Sequence, residues 1–259
     1  MGLFNMHYDR PGPGVNPDTP RKKGAARFLE VLGRDLTSFW MAGILSLLSA
    51  LPFALGLWFS VETHALLPMA LTGILGGMVA APQLCGLYDT ILRSLRDEPG
   101  FWWVTYRRAW KRNAKASLLP GALGGFLLAT QLFSACHLGD GQNSVLLVAL
   151  LVGIILLTGL AQYLFAQVVL LELPFGGILK NAVFLFLGYL PRTMLGVVWQ
   201  LAYWGLVVLF WPYSSFLMVI TGFWLPALLC LMAIYPPLDK SFHIEEKVRQ
   251  LREEDLESR

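Results

Sequence analysis

Residues Gly141 to Leu171 read GQNSVLLVALLVGIILLTGLAQYLFAQVVLL, a run without a single charged side chain. A helix needs about 20 mostly apolar residues to cross the hydrocarbon core of a bilayer, so this run is long enough to span a membrane once. Further uncharged runs extend from Leu36 to Val61, Thr63 to Tyr88, Ala116 to Gly139 and Thr193 to Leu238. The chain is therefore expected to lie in a lipid bilayer.

The run from Thr193 to Leu238 is too long for one crossing. It contains the segment from Trp211 to Ser215, WPYSS, where proline stops a helix and the polar side chains favour a turn. Dividing the run there leaves two adequate spans. We therefore predict an all-α polytopic membrane protein with six transmembrane helices and short cytoplasmic interfacial elbow helices.

All 20 Lys and Arg residues fall on one side of the membrane under this threading. They lie in the N-terminal arm, in the second and fourth connections and in the C-terminal tail, and the other three connections hold none. Cytoplasmic segments retain Lys and Arg because these charges resist translocation. We therefore expect a multi-pass membrane protein with both termini in the cytoplasm.

Three regions follow from the distribution of charge. Residues 1–35 are predicted to be a cytoplasmic arm rich in Pro and Gly that ends in a short interfacial helix, Ala25 to Asp35. Residues 36–238 are the six-span membrane domain, and residues 239–259 are a charged cytoplasmic tail.

The composition excludes several classes of protein. Hydrophobic residues make up 56% of the chain and charged residues 14%, which is not the balance of a soluble domain. The net charge of +3 gives no reason to expect a nucleic-acid partner. No nucleophile motif, phosphate-binding loop or metal-ligand spacing occurs, and His64 and His137 on outer connections form no such motif. We expect no enzymatic activity, cofactor or metal.

The second connection carries an aromatic face and a basic face on one predicted elbow helix, Phe101 to Ser117. At helical spacing one face contains Trp103, Tyr106, Trp110, Ala114 and Ser117, and the other contains Arg107, Arg108, Lys111, Arg112 and Lys115. This pattern suits a helix in the headgroup layer, with its rings at the acyl boundary. The helix either anchors the chain only or docks a partner.

A weaker copy of this pattern is predicted one hairpin later, from Ile178 to Leu190. Its residues Lys180-Asn181-Ala182 align with Arg112-Asn113-Ala114, and both copies join a span to its return. Candidate residues for docking a partner are Arg108, Lys111, Arg112, Asn113, Lys180 and Asn181.

Charged side chains at the ends of spans are expected to be paired, because an isolated charge in hydrocarbon is costly. Asp89 precedes Arg93 by four residues, a spacing that allows an ion pair on one helix face. Glu172 ends the fourth span and is expected to pair with Arg192 or Lys180.

Glutamines deep in the spans allow two interpretations. Gln162, Gln167 and Gln200 either form hydrogen bonds between helices or line a path for a polyhydroxylated solute. Glycines in the second and third spans are expected to provide small surfaces for close approach of helices. They are Gly73, Gly76, Gly77, Gly121, Gly124 and Gly125.

The chain resembles the YesL family, small bacterial integral membrane proteins with a domain of unknown function. The resemblance lies in YDTILRSLRDEPGF from Tyr88 to Phe101, in YRRAWKRNAK from Tyr106 to Lys115 and in the arm YDRPGPGV from Tyr8 to Val15. It implies a non-enzymatic accessory role linked to solute transport, carbohydrate uptake being the expected case, with ABC-transporter subunits and the lipid bilayer as partners. The alternative is a self-sufficient small-solute transporter with a glutamine-lined path.

Overall fold

The computed structural model describes residues 21–98, 100–137 and 144–257, with only the backbone of 251–257. This part of the chain is helical and contains no strand. Its helices are α1 Gly24–Glu62, α2 Leu66–Leu95, α3 Trp102–Cys136, α4 Ser144–Leu170, α5 Phe175–Gly188, α6 Leu190–Leu209, α7 Ser214–Ile220, α8 Trp224–Phe242 and α9 Ile244–Glu257.

The chain divides into two compact units, Met1–Arg34 and Asp35–Arg259. In the first unit the helix begins at Gly24, and Arg27 Nη1 donates to Glu30 Oε2 at 3.0 Å. The Pro- and Gly-rich part of the predicted arm lies outside the described residues. The predicted interfacial helix is not a separate element, because α1 continues without a break into the first span.

Within the described part of the chain, five helices are long and apolar enough to cross a bilayer: α1, α2, α3, α4 and α6. The pair α7 and α8 provides a sixth crossing if its two helices are taken as one span bent by 63°. The prediction of an all-α polytopic membrane protein is therefore confirmed. The division of the last apolar run is also confirmed, since α6 ends at Leu209 and α7 begins at Ser214.

The sixth crossing differs from the uninterrupted helix that we predicted. Its break covers Thr221 to Phe223, and Gly222 adopts a left-handed φ of +41° that an α-helix does not contain. The helix resumes at Trp224 and continues to Phe242, past the predicted end at Leu238.

The predicted first elbow and the third span form one helix rather than two elements. Helix α3 has 35 residues and continues through Pro120 without a break. A proline removes one backbone donor, and helices in membranes tolerate this loss where neighbouring groups compensate. The second predicted elbow is a separate helix, α5, because Tyr189 leaves the α-helical conformation before α6 begins.

Helices α2 and α3 are in backbone contact through glycine. A Cβ atom on Gly77 would lie 2.1 Å from the carbonyl oxygen of Gly121, and one on Gly125 would lie 2.3 Å from that of Gly73. Both helices thus carry glycine every fourth residue on the face that touches the other, which confirms the close approach for these four glycines. Gly76 packs on Phe53 of α1 instead, and the expectation is wrong for Gly124, since a Cβ there meets nothing within 4 Å. This contact fixes the direction of α3.

The part of α1 that belongs to the second unit packs on α2 and α8. Phe39 stacks on Trp224 with ring centroids 6.1 Å apart, and Gly43 leaves space for the same indole. Farther along, Phe53, Leu57 and Val61 cover a buried cluster of Met69, Ala129 and Phe133. These contacts hold α1, α2 and α3 together as one bundle.

Candidate functional site

The N-terminal half of α3 presents cations on one face. Arg107, Arg108, Lys111 and Lys115 are all exposed there, and none of them forms an ion pair with another described residue. Four unneutralised cations within three turns create a strong positive potential. We call these four residues the basic face.

The opposite face of the same segment does not face lipid along its whole length, because part of it packs on α2. Tyr106 is only 3% exposed, and its hydroxyl donates to Gln83 Oε1 at 2.5 Å. Gly86 makes room for the Tyr106 ring, since a Cβ there would lie 2.6 Å from it. Trp103 stacks on Tyr106 and stays 47% exposed. Of the predicted aromatic face, Tyr106 therefore packs inside the protein while Trp103 remains exposed. The contact of Tyr106 fixes how α3 is rotated about its own axis.

Asn113 is a correction to the predicted docking set, whereas Arg112 stays half exposed and is also bound within the bundle. Arg112 Nη2 donates to the backbone oxygen of Val169 at 3.1 Å and lies 3.9 Å from Asp89 Oδ1, so it joins α3 to α4 and α2. Asn113 is only 5% exposed and cannot reach a partner. Asn113 lies between the predicted aromatic and basic faces, and this side of α3 is buried against the neighbouring helices.

A charged cluster lies where α2 ends and α3 begins. Arg93 Nε bonds Asp89 Oδ2 at 2.9 Å, which confirms the predicted pair. Arg93 Nη1 also bonds Glu98 Oε2 at 3.1 Å, and Glu98 Oε1 accepts from Arg96 Nε at 2.7 Å. Glu98 thus binds two arginines of the last turns of α2, and the cluster fixes the connection between the two helices.

A small polar cavity of about 50 Å³ adjoins this cluster. Asp35 of α1 accepts a hydrogen bond from Ser94 of α2 at its wall. Its remaining lining residues include Ser38, Thr90, Arg93, Glu98, Trp102 and Thr105. The cavity has room for water, and the hydrogen bond of Asp35 with Ser94 in its wall ties α1 to α2.

On α5 the predicted docking residues are accessible, but the predicted ion pair is absent. Lys180 is exposed, with its Nζ 5.9 Å from the centre of the Phe184 ring, and Asn181 is half-buried. Among the described residues, Glu172 forms no ion pair with Arg192 or Lys180, so that prediction is wrong. Glu172 lies in the nonhelical connection between α4 and α5 and is exposed, where water solvates it.

Gln162 holds three helices together. It is buried, and its Nε2 donates to the backbone oxygen of Thr193 on α6 at 3.3 Å. Its Oε1 accepts from the Cys230 thiol of α8 at 2.7 Å. Both ends of the amide are therefore engaged by protein.

Gln167 and Gln200 also bond mainly to protein. Gln167 is fully buried and donates to Tyr163 in its own helix at 3.2 Å, while its Oε1 has no partner among the described residues. Gln200 is half-buried, donates to the backbone oxygen of Pro226 at 3.2 Å and accepts from Trp204 Nε1. Gln162 and Gln200 therefore form hydrogen bonds between helices, the first of the two interpretations, whereas Gln167 bonds only within α4.

One contact that we did not predict joins His64 and His137. Their facing ring nitrogens are 2.7 Å apart although the residues are 73 positions apart in sequence. No spacing motif in the sequence indicates such a pair. It could be expected only if one knew that the connection between α1 and α2 lies beside the C-terminal end of α3. Among the described residues, no group of three or more His, Cys, Asp or Glu side chains is placed to hold a metal ion.

Comparison with known proteins adds no relative to this geometry. No protein-family model, curated protein or solved structure matches the chain.

Proposed function

We propose that the protein is a non-enzymatic accessory component of a solute-transport system in the bacterial cytoplasmic membrane. In this proposal both termini are cytoplasmic, and the basic face of α3 with Lys180 of α5 docks a transporter subunit. The resemblance to the YesL family in Tyr88 to Phe101 and Tyr106 to Lys115 makes a carbohydrate ABC transporter the expected partner.

The observation that carries the proposal is the combination of an exposed basic face with a rigidly held opposite face. An anchor only needs cations that hydrate freely, and flexible connections satisfy that need. Here Tyr106 holds α3 to α2, Arg112 holds it to α4, and the charged cluster fixes the connection that precedes it, so the basic face has a defined position and direction. Fixed charges lose little entropy when they meet an acidic surface, which favours docking of a protein.

The orientation follows from the charge distribution. All Lys and Arg residues lie on one side of the proposed threading, and this side faces the cytoplasm if the usual bias holds. A transporter's cytoplasmic surface would then be within reach of the basic face.

The decisive experiment compares two variants that each remove two cations from the same side. Arg108→Gln with Lys111→Gln changes the basic face, and Lys240→Gln with Lys247→Gln changes exposed cations elsewhere. After mild cross-linking in native membranes, the recovered transporter subunits are quantified by mass spectrometry. We expect about tenfold less recovery for the first variant, since two charge contacts contribute roughly 1–2 kcal/mol, and no change for the second.

Equal recovery with both variants would reduce α3 to an anchor. Equal losses would indicate a general effect of charge on insertion, and protease accessibility of the tail measures insertion independently.

The transporter alternative predicts solute flux through the purified chain in liposomes. In both Gln162 and Gln200 the amide nitrogen and the amide oxygen are hydrogen-bonded to protein groups. These bonds favour a role in helix packing over a role in a solute path. Flux that is lost in Gln162→Leu but retained in the basic-face variant would reverse this choice.

A further inference from the structure

Two imidazoles meet at the end of α2 and α3 that is opposite to the charged cluster. His64 lies in the connection between α1 and α2, and His137 directly follows α3. His64 Nδ1 is 2.7 Å from His137 Nε2, and the ring centroids are 4.8 Å apart. His64 is exposed and His137 is half-buried, so solvent reaches the pair.

His137 is held in one orientation and one tautomer. Its Nδ1 lies 2.8 Å from the backbone oxygen of Phe133, and since a carbonyl only accepts, Nδ1 carries the hydrogen. The ring also stacks on Phe133 with centroids 4.1 Å apart, directly above the buried cluster of Met69 and Ala129. In the neutral ring Nε2 then carries a lone pair directed at His64, the arrangement by which proteins orient metal-binding imidazoles.

His64 occupies a backbone position that usually belongs to glycine. Its φ is +51°, and the backbone N–H groups of His64 and Ala65 bond back to Val61 and Ser60, as at the end of a helix that closes with a left-handed residue. A residue with a Cβ is unfavourable there. Backbone strain of this kind often marks a functional position, and here it presents an imidazole to His137.

We propose that His64 Nδ1 and His137 Nε2 form a binding site for a late first-row divalent cation, with Zn²⁺ as the representative ion. Imidazole nitrogen is a ligand for Zn²⁺, Cu²⁺ and Ni²⁺, whereas Mg²⁺ and Ca²⁺ prefer oxygen. The site takes two protein ligands, and water completes the coordination. No third side chain among the described residues is placed to join them.

The geometry needs only a small adjustment. Zn–N bonds of about 2.0–2.1 Å in a tetrahedral site place the two nitrogens about 3.3 Å apart, compared with 2.7 Å in the hydrogen-bonded pair. Rotation of the exposed His64 ring supplies the difference while His137 stays fixed. His64 then carries its proton on Nε2 instead of Nδ1, exchanged through solvent, so both ligands bind as neutral imidazoles.

The test uses the full-length protein purified without a histidine tag in detergent micelles and titrated calorimetrically with Zn²⁺. His64→Asn keeps a residue that tolerates the left-handed conformation, and His137→Gln keeps a polar side chain. The matched control is His243→Asn, because His243 also has φ +51° but pairs with Glu246. We expect one ion per wild-type chain, a loss of about tenfold or more in affinity in either pair variant, and no change in the control.

A second measurement needs no substitution. Diethylpyrocarbonate modifies accessible imidazoles, and peptide mass spectrometry reports each histidine separately. Zn²⁺ is expected to protect His64 and to leave His243 reactive. Two results would overturn the site. One is a wild-type affinity no greater than that of the double variant His64→Asn with His137→Gln, and the other is equal reactivity of His64 with and without Zn²⁺. The pair would then be only a hydrogen bond between two connections.

Discussion

The glycine contact between α2 and α3 predicts a large effect from the smallest possible substitution. In Gly77→Ala the added Cβ would lie 2.1 Å from Gly121 O and 2.9 Å from Gly121 C. An ordinary carbon–oxygen contact is about 3.3 Å, so the helices must separate locally by about 1 Å. The atoms in the way belong to backbone, and no side-chain rotation can relieve the overlap.

The expected cost follows from these distances. Forcing a methyl group into a packed contact costs about 1–3 kcal/mol, and weakened Cα–H···O contacts add roughly 0.5–1 kcal/mol. Alanine's better helix propensity offsets up to about 1 kcal/mol. The net loss is about 2 kcal/mol, which corresponds to roughly a 30-fold change in the unfolding equilibrium constant.

The assay is equilibrium unfolding by sodium dodecyl sulfate in mixed micelles, followed by the circular dichroism of the helices. Gly124→Ala is the matched control, because a Cβ at Gly124 meets nothing within 4 Å. We expect the control to be neutral or slightly stabilised. A Gly77→Ala chain as stable as the control would refute the backbone contact between the two helices.

Three further predictions concern the charged cluster, the aromatic contact and the threading. Asp89→Asn should lower the free energy of unfolding by about 1.5–3 kcal/mol, because the buried carboxylate accepts a hydrogen bond from Arg93. The control Glu172→Gln should change it by less than about 0.5 kcal/mol, and equal effects of the two variants in the same unfolding assay would contradict the prediction. Tyr106→Phe should cost about 1 kcal/mol through the lost hydrogen bond, and a stabilised variant would show that the bond is not formed. Cysteine at position 62 should react with a membrane-impermeant maleimide added outside intact cells, and labelling only after lysis would reverse the threading.

The sequence predicts the number and approximate position of the spans because their signal is local. Uncharged runs and the distribution of Lys and Arg are properties of short segments, and the insertion of each segment depends mainly on its own hydrophobicity. The glycine contact is predictable for the same reason, since Gly73 and Gly77 mark one face of a helix without reference to its neighbour. Asp89 and Arg93 pair within one helix face, so their bond also follows from spacing.

The boundaries of the helices are less predictable, and Pro120 shows why. Proline ends many helices in water, but in α3 the neighbouring helices hold the segment in place and one lost hydrogen bond is tolerated. The break at Gly222 could not be placed either, because glycine occurs in many uninterrupted spans. Its left-handed φ is not marked by any local pattern in the sequence.

The functional residues depend on contacts over long sequence distances. Arg112 reads as part of the basic face, yet its bond to Val169 joins residues 57 positions apart. The pair of His64 and His137 is more distant still and leaves no spacing motif. A helical wheel assigns each residue to a face but does not say which face the neighbouring helices cover.

The continuity of α3 carries its cations beyond the bilayer core. At 1.5 Å per residue its 35 residues extend about 52 Å, while the hydrocarbon core is about 30 Å thick. Roughly 20 Å of stiff helix therefore lies outside the core. The bonds of Tyr106 and Arg112 hold this part to α2 and α4, so the basic face can change position only together with both neighbouring helices.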